Sequence, residues 1–127
     1  PLDIARTLAT RFALTCVATL GEEGSLAVEP GGQAWRIGRP NVTVIDTTGA
    51  GDAYTGTLIA ALDRRAPLPE AMRFASTAAS LACETRGAQT AYRGRVEIER
   101  RTSAFAPASA PECLDSGLPP KRGFGIL

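Results

Sequence analysis

Histidine is absent from all 127 residues. Neither a Ser-His-Asp triad nor a His-containing metal site can therefore be assembled. Cysteine is scarce: Cys16, Cys83 and Cys113 lie far apart, match no metal-ligand spacing and make no even disulfide set. They read as buried or free thiols in a reducing compartment. Lysine is missing between Pro1 and Pro120, so the chain holds no G-x-x-x-x-G-K-[ST] loop and a Walker-type nucleotide enzyme is not expected. An excess of one charge is missing too, with 14 basic against 13 acidic residues and a net charge of +1. A nucleic-acid surface needs a dense basic cluster, and none is expected here. No apolar run approaches the roughly eighteen residues that span a bilayer, and no signal-like segment opens the chain. The expectation is a soluble cytoplasmic protein that contacts neither nucleic acid nor membrane.

What the chain does have is a globular balance, 44% hydrophobic with 21% charged residues. Leu2 to Arg11 reads as the end of a helix, and Leu14 to Thr19 as a buried strand of the parallel-sheet kind. Ser25 to Glu29 and Gln33 to Ile37 flank Pro30-Gly31-Gly32, a hairpin turn signal. The β-branched run Val42 to Ile45 reads as a further strand, followed by a helix of about Gly49 to Arg64. A second helix follows Pro67, where Ala71, Phe74, Ala75, Ala78, Ala79 and Ala82 share one face of small residues. Arg93, Arg95, Arg100 and Arg101 alternate with Glu97 and Glu99, which reads as a solvated helix face.

The stretch Asp46-Thr47-Thr48-Gly49-Ala50-Gly51-Asp52 joins the strand-like run to the helix-like run. At a helix start the first N–H groups have no intrahelical partner, the dipole adds positive charge, and glycine lets an anion approach the main chain. Asp52 falls in the first turn, where a carboxylate beside an anion can take a proton from an attacking hydroxyl. The plainer reading of the same residues is an N-cap at Thr48 or Asp46 and a first-turn acid favoured by the dipole.

Asp46 to Tyr54, Asp-Thr-Thr-Gly-Ala-Gly-Asp-Ala-Tyr, closely resembles the signature near the C-terminus of the ribokinase (PfkB) family of carbohydrate kinases. Val17 to Leu26 resembles that family's strand and nucleotide loop, and Phe74 to Gln89 its adenine-side helix ending in a Gly-Ala turn. The resemblance covers about Leu8 to Glu99. It implies an α/β, ribokinase-like fold (Rossmann-like, three-layer α/β/α), as a partial domain lacking the N-terminal half and lid.

The resemblance further implies roles. Asp52 is the catalytic base, and the N–H groups of Gly49, Ala50 and Gly51 form the anion hole for the transferred phosphoryl group. Thr19, Gly21 and Ser76 approach the nucleotide. Asp46, Thr48, Cys83, Arg86 and Gly87, mostly through main-chain carbonyls, fall where relatives hold a monovalent cation. The implied partners are ATP with Mg2+, K+, a sugar or sugar acid, and a second copy of the longer protein.

Residues 1–100 are thus expected to be the C-terminal part of a kinase domain, and 101–127, which has no amphipathic period, an irregular, flexible tail. A whole kinase of this family needs roughly twice as much chain. The 127 residues read as a fragment or truncated product that does not turn over sugar alone. The alternative expectation is a non-catalytic nucleotide- or phosphate-binding module, or a degenerate truncated product.

Overall fold

The computed structural model describes residues 1–87, 92–105 and 112–114. Helix α1 (Leu2–Phe12) leads into strand β1 (Cys16–Thr19), and a 3-10 turn at Gly21–Glu23 connects it to β2 (Ser25–Val28). Strand β3 (Ala34–Ile37), helices α2 (Ala50–Asp63), α3 (Leu68–Ala82) and α4 (Arg95–Ala104), and strand β4 (Glu112–Cys113) follow. The strands form one sheet in the order β1-β2-β3-β4, and every neighbouring pair is antiparallel.

The layering follows from the period of the strands. In β2 all four residues are buried, because each face of the sheet has a helical cover. Ala27 joins Ile37, Tyr54, Leu58, Met72 and Ala75 under α2 and α3. Leu26 and Val28 point the other way, onto Ala5 and Ala9 of α1. Arg6 fastens α1 across that layer, its guanidinium donating to the carbonyls of Gly32 at 3.0 Å and Leu114 at 3.2 Å. The small-residue face of α3 is borne out: Ala71, Ala75, Ala78 and Ala82 are buried, and the helix lies close along α2 and β3.

A buried hydroxyl pair crosses the main core. The Tyr54 hydroxyl donates to Ser25 Oγ at 2.8 Å, and both residues are almost wholly enclosed. Burial pushes the Tyr54 pKa up, with the Ser25 contact opposing it. Tyr54→Phe leaves the buried Ser25 Oγ without that donor, so unfolding should become easier by about 1–2 kcal/mol. A urea titration checks this as a lower midpoint at unchanged slope.

Several expectations need correction. Leu14 to Thr19 is not a buried parallel strand: β1 is half-buried, starts at Cys16 and pairs antiparallel with β2. A hairpin through Gly21–Gly24 puts β2 beside it, whereas parallel pairing needs a long crossover. Val42 to Ile45 forms no strand. Val44 and Ile45 are 43% and 56% exposed, and the Ile45 N–H goes to the Cys83 carbonyl at 2.8 Å rather than to a ladder. A β-branched run makes a strand only beside a partner, and none of the described residues supplies one.

The tail does not start at 101. Helix α4 continues to Ala104, and Glu112–Cys113 pairs with Trp35 and Arg36 of β3. The rest of the expected tail, 106–111 and 115–127, and the Gly-Ala turn residues 88–91 lie outside the described residues. The charged face of α4 is as expected, with Arg95 bridging Glu99 and Arg100 bridging Glu97. Arg101 instead reaches Glu84 just past α3, at 3.0 Å.

Candidate functional site

The turn ahead of α2 is closed by one carboxylate. Asp46 Oδ1 accepts the Thr48 N–H at 2.9 Å, and Oδ2 accepts the Gly87 N–H at 3.1 Å. Hydrogen bonds from Thr48, then Gly87, with help from the Arg86 charge, lower the Asp46 pKa from 3.8 to about 2. A lowered carboxyl pKa stabilises the fold above the unfolded value, and that contribution is lost as pH falls toward 2. The clasp is therefore intact at neutral pH. On its other side the Cys83 carbonyl accepts the N–H groups of Ile45 at 2.8 Å and Asp46 at 3.2 Å. The Asp46 side of the turn is thus tied to the end of α3 and to the segment that follows it.

Within the turn Gly49 is left-handed, φ 82° and ψ −2°, a conformation that favours glycine. The Ala50 N–H donates back to Thr47 at 3.2 Å, and the helical ladder opens with Ala53 N–H on Gly49 at 2.9 Å. Gly51 and Asp52 precede that first ladder bond, so their N–H groups stand where a helix offers no acceptor of its own.

A cavity of about 220 Å³ opens beside the turn. Thr19, Gly21, Glu22 and Gly24 form the wall from the β1–β2 connection; Arg39, Val44 and Thr47 come from the segment after β3. Ala50, Gly51 and Tyr54 come from α2, while α3 contributes Ser76, Ala79 and Ser80, with Cys83 just beyond it. These last four recur at i, i+3, i+4 and i+7, so one helical face of short side chains makes a shallow floor. Ser76 Oγ donates to the Gly38 carbonyl at 3.2 Å. Ser80 Oγ is buried without a hydrogen-bond partner. Burial pushes the Cys83 thiol pKa up, with the Arg39 charge opposing it, so the thiol stays protonated and adds no negative charge to the floor.

Of the residues singled out in the sequence, Thr19, Gly21, Ala50, Gly51, Ser76 and Cys83 meet around this one cavity. Gly49 shapes the turn without lining it. Asp52 is exposed and lines a separate hollow of about 380 Å³ with Gly56, Thr57, Tyr92 and Arg93. Among the expected cation ligands, Asp46, Thr48 and Gly87 are joined by the hydrogen bonds above, and Arg86 is exposed. In this geometry the Asp46 carboxylate and the Cys83 carbonyl serve main-chain N–H groups. No group of three or more Cys, Asp or Glu that could hold a metal ion occurs among the described residues. Sequence reasoning missed Arg39, Tyr54 and Ser80. Ser80 carries a readable signal, one helical turn after Ser76, and Tyr54 closes the glycine motif itself. Arg39 carries none, because its place depends on how the segment after β3 runs.

Comparison with known proteins gives these residues a family. The model of the pfkB family carbohydrate kinases matches residues 2–93. Fructoselysine 6-kinase of Shigella flexneri is 37% identical over 83 residues, 65% of this chain and 31% of that protein. Aminoimidazole riboside kinase of Salmonella typhimurium is 38% identical over 82 residues, 61% of this chain and 25% of that protein. Arabidopsis thaliana ribokinase, solved with ribose and ATP, superposes with a TM-score of 0.67 at 30% identity, covering 69% of this chain and 28% of that one. The chain thus spans less than a third of the length of these relatives. The family match occupies the N-terminal part of this chain, and it does not carry the narrower expectation of a C-terminal part of the family domain. The fold is a partial ribokinase-like α/β domain. Matched by that family model over most of its described residues, the chain belongs to the pfkB family of carbohydrate kinases.

Proposed function

We propose that this chain supplies the nucleotide-phosphate cleft and the catalytic base for ATP-dependent phosphorylation of a sugar or sugar-acid hydroxyl. The observation that carries the reading is the gathering of Thr19, Gly21, Ser76, Ala50 and Gly51, from four separate elements, around one cavity that ends at the start of α2. A helix start with a glycine at its second position suits a phosphate: the donors are main-chain N–H groups and nothing projects over them. The floor of small side chains on α3 leaves room for a flat base.

Asp52, one residue beyond Gly51, is exposed to an approaching hydroxyl and can accept its proton as the oxygen attacks. Of the anion-hole donors expected at Gly49, Ala50 and Gly51, the Ala50 N–H is turned back to Thr47, and the N–H groups of Gly49 and Gly51, with that of Asp52, would stabilise charge on the transferred phosphoryl oxygens. Mg2+ would be held mainly by the nucleotide's own phosphates and water, which is its habit where carboxylates are few. A monovalent cation such as K+ could add to Asp46, whose carboxylate oxygens each accept one N–H and keep a further lone pair, whereas the Cys83 carbonyl already accepts two N–H groups.

The test is calorimetry with ADP and ATP on the wild-type chain and Gly51→Val. A Cβ placed at Gly51 meets nothing within 4 Å, so the fold should tolerate the substitution. The added side chain would nevertheless stand between the N–H groups and any phosphate, and affinity should fall by about tenfold or more. Unchanged nucleotide affinity would reduce the turn to a helix cap.

A further inference from the structure

We propose that Arg39 is a nucleotide-binding residue of this cleft, pairing its guanidinium with the polyphosphate. The proposal rests on the nucleotide reading above. Arg39 is the one basic side chain among those lining the cavity, and Glu22 is the one acid. It is half-buried, and it forms no ion pair or hydrogen bond among the described residues.

Its backbone, in contrast, is held on both sides. The Gly38 carbonyl is fixed by Ser76 Oγ, Pro40 is fully buried, and the Arg39 N–H nitrogen lies 3.0 Å from where a Cβ on Gly24 would stand. A fixed backbone carrying an unpaired planar cation into a cleft is a preorganised anion receptor. The guanidinium charge is felt at Cys83, whose carbonyl ties down the Asp46 turn, so it acts on the stretch of cleft between Ser76 and the α2 start. Ser80, one turn along the same floor and 1% exposed, adds an independent sign that this wall takes a polar ligand: its Oγ has no partner. The positive end of α2 carries only about half a charge, while a triphosphate carries several, so a full positive charge nearby is what the site otherwise lacks.

The experiment measures Kd for ATP, inorganic tripolyphosphate and adenosine with the wild-type chain, Arg39→Gln and Arg39→Lys. Arg39→Gln should weaken ATP and tripolyphosphate by about tenfold, the usual scale for losing one charge-assisted contact, and leave adenosine within about twofold. Arg39→Lys should recover most of the loss, since it keeps the charge. If Arg39→Gln binds ATP as the wild type does, or loses adenosine as much as ATP, the phosphate role of Arg39 is overturned while the nucleotide cleft stands. A wild-type chain that binds neither ATP nor adenosine would overturn the cleft's nucleotide reading, and this proposal with it.

Discussion

Gly24→Ala is expected to unfold much of the population that Gly51→Val leaves folded. Gly24 sits at φ 89° and ψ −127°, a region closed to side chains, between the 3-10 turn and β2. A Cβ built there would lie 2.0 Å from the Ile37 carbonyl oxygen and 3.0 Å from the Arg39 nitrogen. Both neighbours are main chain, which cannot swing aside as a side-chain tip can. The backbone strain alone costs about 1–3 kcal/mol. Forcing the β3 end away adds overpacking of about 1–3 kcal/mol. The melting temperature should therefore drop by roughly 10 °C or more for a chain of this size.

Gly21 is the internal control, because it too has positive φ, 59°, but a Cβ there meets nothing within 4 Å. Gly21→Ala should show only the strain, about 1 kcal/mol. Equal melting temperatures for the two alanine variants would mean that the connection relaxes and that the close approach at Gly24 is not what shapes the cleft.

Asp52→Asn should separate chemistry from binding. In a preparation that releases ADP only when sugar is present, the substitution should lower kcat by roughly 10²–10⁴-fold, the usual contribution of a general base. Nucleotide affinity should hardly fall. Asp52 does not line the cavity proposed for the nucleotide, and replacing a carboxylate near a phosphate by an amide removes repulsion. The measurement pairs kcat with the Kd for ATP. A near-normal kcat in Asp52→Asn would place the base elsewhere. A parallel collapse of both constants would show that the side chain builds the site rather than acts in it.

Much of this arrangement was legible in the residues, and the parts that were not share a cause. Helix α2 with its glycine turn, the β2–β3 hairpin and the alanine face of α3 are local patterns, and local patterns survive folding. Val42 to Ile45 misled because β-branched composition describes a surface that fits a sheet and says nothing of whether a neighbouring strand is there. Leu14 to Thr19 misled for the same reason: its apolar run is compatible with either pairing direction, and the short connection after it, Leu20 to Gly24, decides for antiparallel. At the site, Thr19, Gly21 and Ser76 were found through motif resemblance. Arg39 was invisible because its position is set from a distance, by Ser76 holding Gly38 and by the bare backbone of Gly24.

The register of the sheet divides the molecule into an end that can vary and an end that cannot. Thr19 faces Ser25, and Ser25 faces Ile37, so β1, β2 and β3 finish on one common rung. Every cleft residue contributed by the sheet connections, from Gly21 to Arg39, lies past that rung. The opposite rung, Cys16, Val28 and Ala34, ends in Pro30-Gly31-Gly32, where added Cβ atoms at both glycines meet open space. Reporter groups or affinity handles belong at Pro30 and Gly31 of that distal turn, short of the Gly32 carbonyl that holds Arg6, where the sheet insulates the cleft from them. A single residue added within β2 would have the opposite effect, turning Ser25 and Ala27 toward α1 and pulling the floor and walls of the cleft out of alignment.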